Sequence, residues 1–108
     1  MINLTYNTYN NEKNAVIFME KKSINGVDAM EFSGTINELD KDTKLVAIDI
    51  DKVTYISSSG IGMILNAHII LKRNNIELKI INASDEIRKL FAMTKIDYVI
   101  PVEYKRGN

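Results

Sequence analysis

The sequence predicts an α/β fold: a mixed, mostly parallel β-sheet with helices packed on it. Three observations predict it. Leu45-Val46-Ala47-Ile48, inside the segment Lys44 to Ile50, is a near-continuous apolar run, the pattern of a strand covered on both faces. Segments with helical spacing separate this run from later apolar runs. The order is strands first, then strand and helix in alternation, which requires crossover connections of the usual right hand.

The elements follow in order. Ile2 to Tyr6 reads as a first strand and Ala15 to Glu20 as a second, with the asparagine-rich segment Asn7 to Asn14 as the turn between them. A third extended piece spans Lys22 to Ile24. Asp28 is placed to cap a helix, with Glu31 three residues later in a capping-box-like pair. Phe32, Ile36 and Leu39 then form one apolar stripe. After the Lys44 to Ile50 strand, Val53-Thr54-Tyr55-Ile56 leads into Ser57-Ser58-Ser59-Gly60, and Gly60 to about Lys72 reads as a largely buried helix with Met63, Ile64, Ile69 and Leu71 in the core. Asn74-Asn75 ends it, and Ile76 to Ile81 is the next strand. Ser84 caps a further helix whose inner face is Ile87, Leu90, Phe91 and Thr94. A last strand near Tyr98 to Val102 completes the sheet, with Pro101 suited to an edge.

Composition bounds the function. The chain has 108 residues, which fits one domain over 1–108. Hydrophobic residues make up 45% and charged residues 26%, an ordinary globular balance. Lysine plus arginine equals aspartate plus glutamate, so no global field draws the chain to nucleic acid or to an anionic membrane. Without cysteine there are no disulfides, thiolate chemistry or cysteine-based metal sites, which suits a reducing compartment. Met1 to Asn7 has no basic region followed by an apolar run, so a signal peptide is not expected and the location is read as cytoplasmic. The most apolar stretch, Ile61 to Leu71, is interrupted by Asn66 and His68 and is too short to cross a bilayer core of about 30 Å.

The chemistry concentrates at Asp49-Ile50-Asp51-Lys52-Val53-Thr54-Tyr55-Ile56-Ser57-Ser58-Ser59-Gly60-Ile61-Gly62, where an extended segment ends in three serines and a buried helix begins at once. Unpaired amide N–H groups point outward at such an end and favour negative charge. A phosphate would be tolerated there, and it would bring about −1.5 to −2 units of charge to a neutral surface.

This segment resembles the serine loop of the STAS family, and specifically of bacterial anti-sigma factor antagonists, which carry D-L-S-x-[VL]-x-x-[IM]-D-S-S-G-[LI]-G before a buried helix. Ile76 through Ser84, Arg88, Leu90 and Phe91 to Thr94-Lys95-Ile96-Asp97 is similar to the family's later strand, helix and T-G-L-D turn. The resemblance covers about Val16 to Val102 and implies a phosphorylatable Ser58, with Ser57 and Ser59 as alternates. It implies a partner-binding surface of Asp28, Ser57, Ser58, Ser59 and Gly60. The implied partner is an anti-sigma factor that is also a serine kinase; the unmodified module binds it and frees the sigma factor, modification releases it, and a phosphatase restores it. Asp28, in Asn25-Gly26-Val27-Asp28, matches the family's loop aspartate. Ser57 stands where the family carries an aspartate, Asn25-Gly26 replaces its G-E, and Lys95 replaces a glycine and is expected to adopt a left-handed conformation. A STAS scaffold that is never phosphorylated, or a regulatory subunit of a membrane transporter, is the alternative reading, and Ser57 is the feature favouring it.

Plainer roles are available for each residue. The serines would also serve as helix caps, and Asp28 as a cap alone. His68, the sole histidine, has no ligand-spaced companion and reads as a structural or partly exposed residue. Phe91 and Met93 are open between core and partner surface, and Lys72-Arg73 and Lys105-Arg106 read as solvated ends. No G-x-S-x-G elbow, P-loop or dinucleotide fingerprint occurs, so no enzyme, cofactor or metal is expected. Aromatic residues do not interleave with a basic patch, so nucleic acid is not an expected partner either.

Overall fold

A computed structural model describes residues 2–106, so the expected domain limits of 1–108 extend past both ends of the described residues. Strands β1 (Ile2–Tyr9) and β2 (Glu12–Met19) form an antiparallel hairpin. The expected loop from Asn7 to Asn14 is mostly ladder, because Asn7 pairs with Asn14 and Tyr9 with Glu12. Only Asn10 and Asn11 turn, with φ of 53° and 63°, the left-handed pair that a two-residue hairpin demands and that asparagine tolerates.

A short strand β3 (Ser23–Ile24) and a 3₁₀ turn over Gly26–Asp28 lead into helix α1 (Ala29–Asn37). Phe32 and Ile36 are buried on its inner face and Leu39 packs against them. The capping box expected of Asp28 and Glu31 does not form. Asp28 makes no side-chain cap to α1, and the Glu31 carboxylate instead accepts the Ile2 N–H at 3.0 Å. Strand β4 (Thr43–Asp49) follows, then β5 (Tyr55–Ile56), which pairs with β3 in a small parallel sheet of its own.

Helix α2 (Ser58–Arg73) starts two residues earlier than the sequence suggests, because Ser57, the first of the three serines, is its cap. Strand β6 (Glu77–Ala83), helix α3 (Asp85–Thr94) capped by Ser84, a second 3₁₀ turn and the short strand β7 (Val102–Tyr104) complete the chain. The expected last strand at Tyr98 to Val102 is displaced: Ile96–Tyr98 is the 3₁₀ turn, and pairing begins only after Pro101. Lys95 takes the expected left-handed conformation, φ 60°, and its N–H closes α3 on the Phe91 carbonyl.

The main sheet has the order β1-β2-β4-β6-β7, antiparallel at β1–β2 and parallel thereafter. Ala15, Ile17 and Met19 of β2, Val46 and Ile48 of β4, and Leu78 and Ile80 of β6 point to one face. They join Phe32, Ile64, Leu71, Ile87 and Phe91 from all three helices in one core cluster. The other face carries no helix from that cluster. Val16, Phe18 and Leu45 remain half-buried there, so β4 is covered by helices on one face and not on two. Of the four expected core positions on α2, Ile64 and Leu71 are buried and Met63 packs against the core, but Ile69 is 50% exposed. Thr94 is likewise exposed and bonds back to the Leu90 carbonyl. Phe91 is core and Met93 is surface. Lys105 is not a free end, since its ammonium bonds the Asp51 carbonyl at 2.9 Å.

Close approach explains one glycine. A Cβ on Gly60 would lie 2.6 Å from the Ile24 carbonyl oxygen and 2.9 Å from Ile56 Cγ2, whereas one on Gly62 would meet nothing within 4 Å. Gly60→Ala is therefore expected to destabilise the fold by about 1–3 kcal/mol, and Gly62→Ala to stabilise it by up to about 1 kcal/mol, in urea unfolding. Lys95→Gly should add about 1 kcal/mol in the same assay by relieving the left-handed lysine.

Candidate functional site

The three serines sit where the small β3–β5 sheet meets the start of α2. The Ser57 N–H donates to the Ile24 carbonyl at 2.9 Å, which fixes the end of β5 beside β3. The Ser57 carbonyl accepts the Ile61 N–H at 2.9 Å, and its hydroxyl accepts the Gly60 N–H at 3.1 Å. Ser57 is thus a helix cap in full. The Ser59 hydroxyl lies 3.0 Å from that of Ser57 and accepts the Gly26 N–H at 2.9 Å. These bonds tie the 3₁₀ turn to the helix start.

Ser58 is the exception. It occupies the first helical position and is exposed, and among the described residues its hydroxyl makes no hydrogen bond. The two flanking hydroxyls are committed to the backbone of the joint, while the middle one projects beside helix-start amides that lack intrahelical partners.

Asp28 lies in the same corner but faces inward. Only 7% of it is exposed. One carboxylate oxygen accepts the Asn25 N–H at 2.8 Å, and the other is ion-paired with Lys21. Burial alone would raise its pKa; the Asn25 N–H and the Lys21 ammonium outweigh that and hold it below the usual carboxylate value. Asp28 therefore shapes the Asn25–Asp28 turn that Ser59 grips, with little carboxylate surface available to a partner. Its neighbours Val27 and Met30 are 85% and 87% exposed, and Tyr55 on β5 is also exposed.

The Lys21 counter-ion, the Gly26 amide and the bare apolar pair Val27 and Met30 are parts of this corner that the sequence reading missed. Val27 offered a signal, being an apolar residue inside a polar turn. Lys21, seven positions before Asp28, offered none. His68 is half-buried well along α2 and lines an open cleft of about 420 Å³ with Lys72, Asn75, Glu77 and Pro101, towards the end of the helix opposite the serines. Among the described residues no cluster of three metal-ligating side chains occurs, and no helix is long and apolar enough to cross a membrane.

The sequence matches the STAS domain family over residues 6–107. The chain belongs to that family. Solved structures agree with the fold at low identity. An anti-sigma factor antagonist from Mycobacterium paratuberculosis aligns with a TM-score of 0.69 at 16% identity, covering 98% of this chain and 87% of that one. The anti-sigma factor antagonist SpoIIAA, in its unphosphorylated form, aligns with 0.61 at 16%, covering 97% and 90%. A sulfate transporter family protein from Wolinella succinogenes aligns with 0.73 at 11%, covering 82% and 74%. No curated protein sequence matches this STAS chain.

The folded-state pKa of Asp28 is lowered from 3.8, so its stabilising contribution is complete above that value and is lost as pH falls through the lower folded one. Asp28→Asn is expected to cost roughly 1–3 kcal/mol at neutral pH, the penalty of losing a buried carboxylate's bond to the Asn25 N–H and its ion pair with the half-buried Lys21. Urea titrations at stepped pH should show the gap between wild type and variant closing only in strong acid.

Proposed function

We propose that this STAS domain is an anti-sigma factor antagonist switched at Ser58. The whole chain, 1–108, acts as a single cytoplasmic binding module with no catalysis of its own. Unmodified, it docks the serine loop on an anti-sigma factor that is also a serine kinase, and so frees a sigma factor for transcription. Phosphorylation of Ser58 ends the complex, and a phosphatase resets it. The observation that carries this reading is the division of labour among the three serines: Ser57 and Ser59 hold the joint, and Ser58 alone presents an unbonded hydroxyl to solvent.

The physical basis is desolvation. A contact face around Ser58 would include Val27, Met30 and Tyr55, apolar and exposed, with Gly60 buried behind. A dianion forced into such a face would lie in a low-dielectric setting without a built counter-charge, which costs enough to release a partner. At the surface of the free module the same phosphate would lie against helix-start amides and remain hydrated.

The test is incubation with an anti-sigma kinase from the same cell and ATP, followed by fragmentation of the tryptic peptide that runs from Val53 to Lys72. One phosphate on Ser58, lost in Ser58→Ala, is expected. Ser58→Asp should weaken kinase binding by about a hundredfold or more. No incorporation, or binding unaffected by Ser58→Asp, overturns the switch.

One observation favours a second reading, a STAS scaffold or transporter subunit that is never phosphorylated. Ser57 stands in place of the family's aspartate and uses its hydroxyl as a cap. Capture of a permease component in place of a kinase would select that reading.

A further inference from the structure

The two edges of the main sheet are built very differently. The β7 edge is three residues long, follows Pro101 and carries the exposed charge of Glu103, paired with Lys79 at 2.9 Å. Short length, a proline and charge are the devices that keep a sheet edge from pairing with another chain. The β1 edge has none of them. It is eight residues long, its ladder with β2 runs without a register shift, and Ile2 to Tyr9 contains no charged residue, proline or glycine.

The register shows which backbone groups that edge leaves free. In a two-residue hairpin the pair flanking the turn, Tyr9 and Glu12, is hydrogen-bonded, so Tyr9, Asn7, Thr5 and Asn3 direct their amides towards β2. Thr8, Tyr6, Leu4 and Ile2 therefore direct theirs outward. The Ile2 N–H agrees, since it leaves the sheet to reach the Glu31 carboxylate. Among the described residues the N–H and C=O groups of Leu4, Tyr6 and Thr8 have no other partner.

We propose that this edge binds a second copy of the chain, β1 against β1 and antiparallel, with the two-fold axis at Tyr6. Tyr6 then faces Tyr6 of the other copy, and Leu4 faces Thr8 twice, giving about six new backbone hydrogen bonds in a continuous ten-stranded sheet. A self-paired strand places identical residues around one axis, so any charge near the axis would meet its own kind; the absence of charge from β1 removes that penalty. Engagement of the Ile2 N–H by Glu31 limits the pairing to Leu4–Thr8, whose midpoint is Tyr6. A contact confined to one strand falls below the roughly 1,000 Å² of a permanent interface, so the dimer is concentration-dependent. The Ser58 loop takes no part in the pairing, and the inference stands apart from the switch.

Sedimentation velocity from about 10 μM to about 1 mM, the range for a small interface, should show mass rising towards twice the monomer value. Amide exchange followed by NMR should find Leu4, Tyr6 and Thr8 slowed at the high concentration and fast at the low one, while Asn3, Thr5 and Asn7 stay slow at both. Thr8→Pro, which removes an outward donor and leaves the β2 ladder intact, should stay monomeric with an unchanged circular dichroism spectrum. If that variant does not fold, Thr5→Lys combined with Asn7→Lys, which sets like charges across the axis on exposed positions, should abolish the association. A monomer throughout the range, or a dimer in which the Leu4, Tyr6 and Thr8 amides exchange freely, overturns the proposal.

Discussion

The backbone of Ile24 pressed against the first turn of α2 is the constraint on which the rest depends. The Ile24 carbonyl accepts the Ser57 N–H and leaves room for no side chain at position 60. That contact forces the β3–β5 pair and the helix start into one rigid corner, and it sets the direction in which each hydroxyl of the triplet points. A glycine is present there because two backbones approach more closely than a Cβ permits. The hydrogen-bonded series from Gly26 through Ser59 and Ser57 to Gly60 then closes the corner from the outside.

Beneath that corner, order comes from apolar packing. Ile56, two residues before the helix, is buried in the same cluster as Ile24, Ile61 and Ile64, so the polar triplet rests on a hydrophobic floor. Asp28 is the one buried charged residue among those described, and it remains charged because a backbone amide and the part-exposed Lys21 share the load. Polar parts that touch the outside are therefore positioned by groups that do not. The cleft beside His68 lies on a separate part of the molecule.

Much of this was legible in the chain itself. The apolar run at Leu45–Ile48, the helix after Ser57 and the cap at Ser84 carry strong local signals, and each element formed. The hairpin was less legible, because Asn7, Asn14 and Thr5 lie on the helix-free face of the sheet and so show no apolar alternation; polar strand and polar loop look alike there. The end of the chain was misplaced because the left-handed Lys95 redirects the backbone into a 3₁₀ turn, and Pro101 delays pairing by one more residue. Ile69 was assigned to the core from composition alone, since α2 is apolar over most of its surface and periodicity cannot rank its faces. In the site, the serines were legible as a group, but their separate duties were not. Those duties depend on Gly26, brought in from a turn more than thirty positions away.

The strand order β1-β2-β4-β6-β7 has a consequence for a chain made from one end on a ribosome. Each strand of the main sheet docks on the strand that left the exit tunnel just before it. No strand of that sheet has to be threaded between two that are already joined; β3, outside it, waits for β5. The nascent sheet always has one growing margin. Such an order lets the polypeptide acquire its shape at the pace of translation.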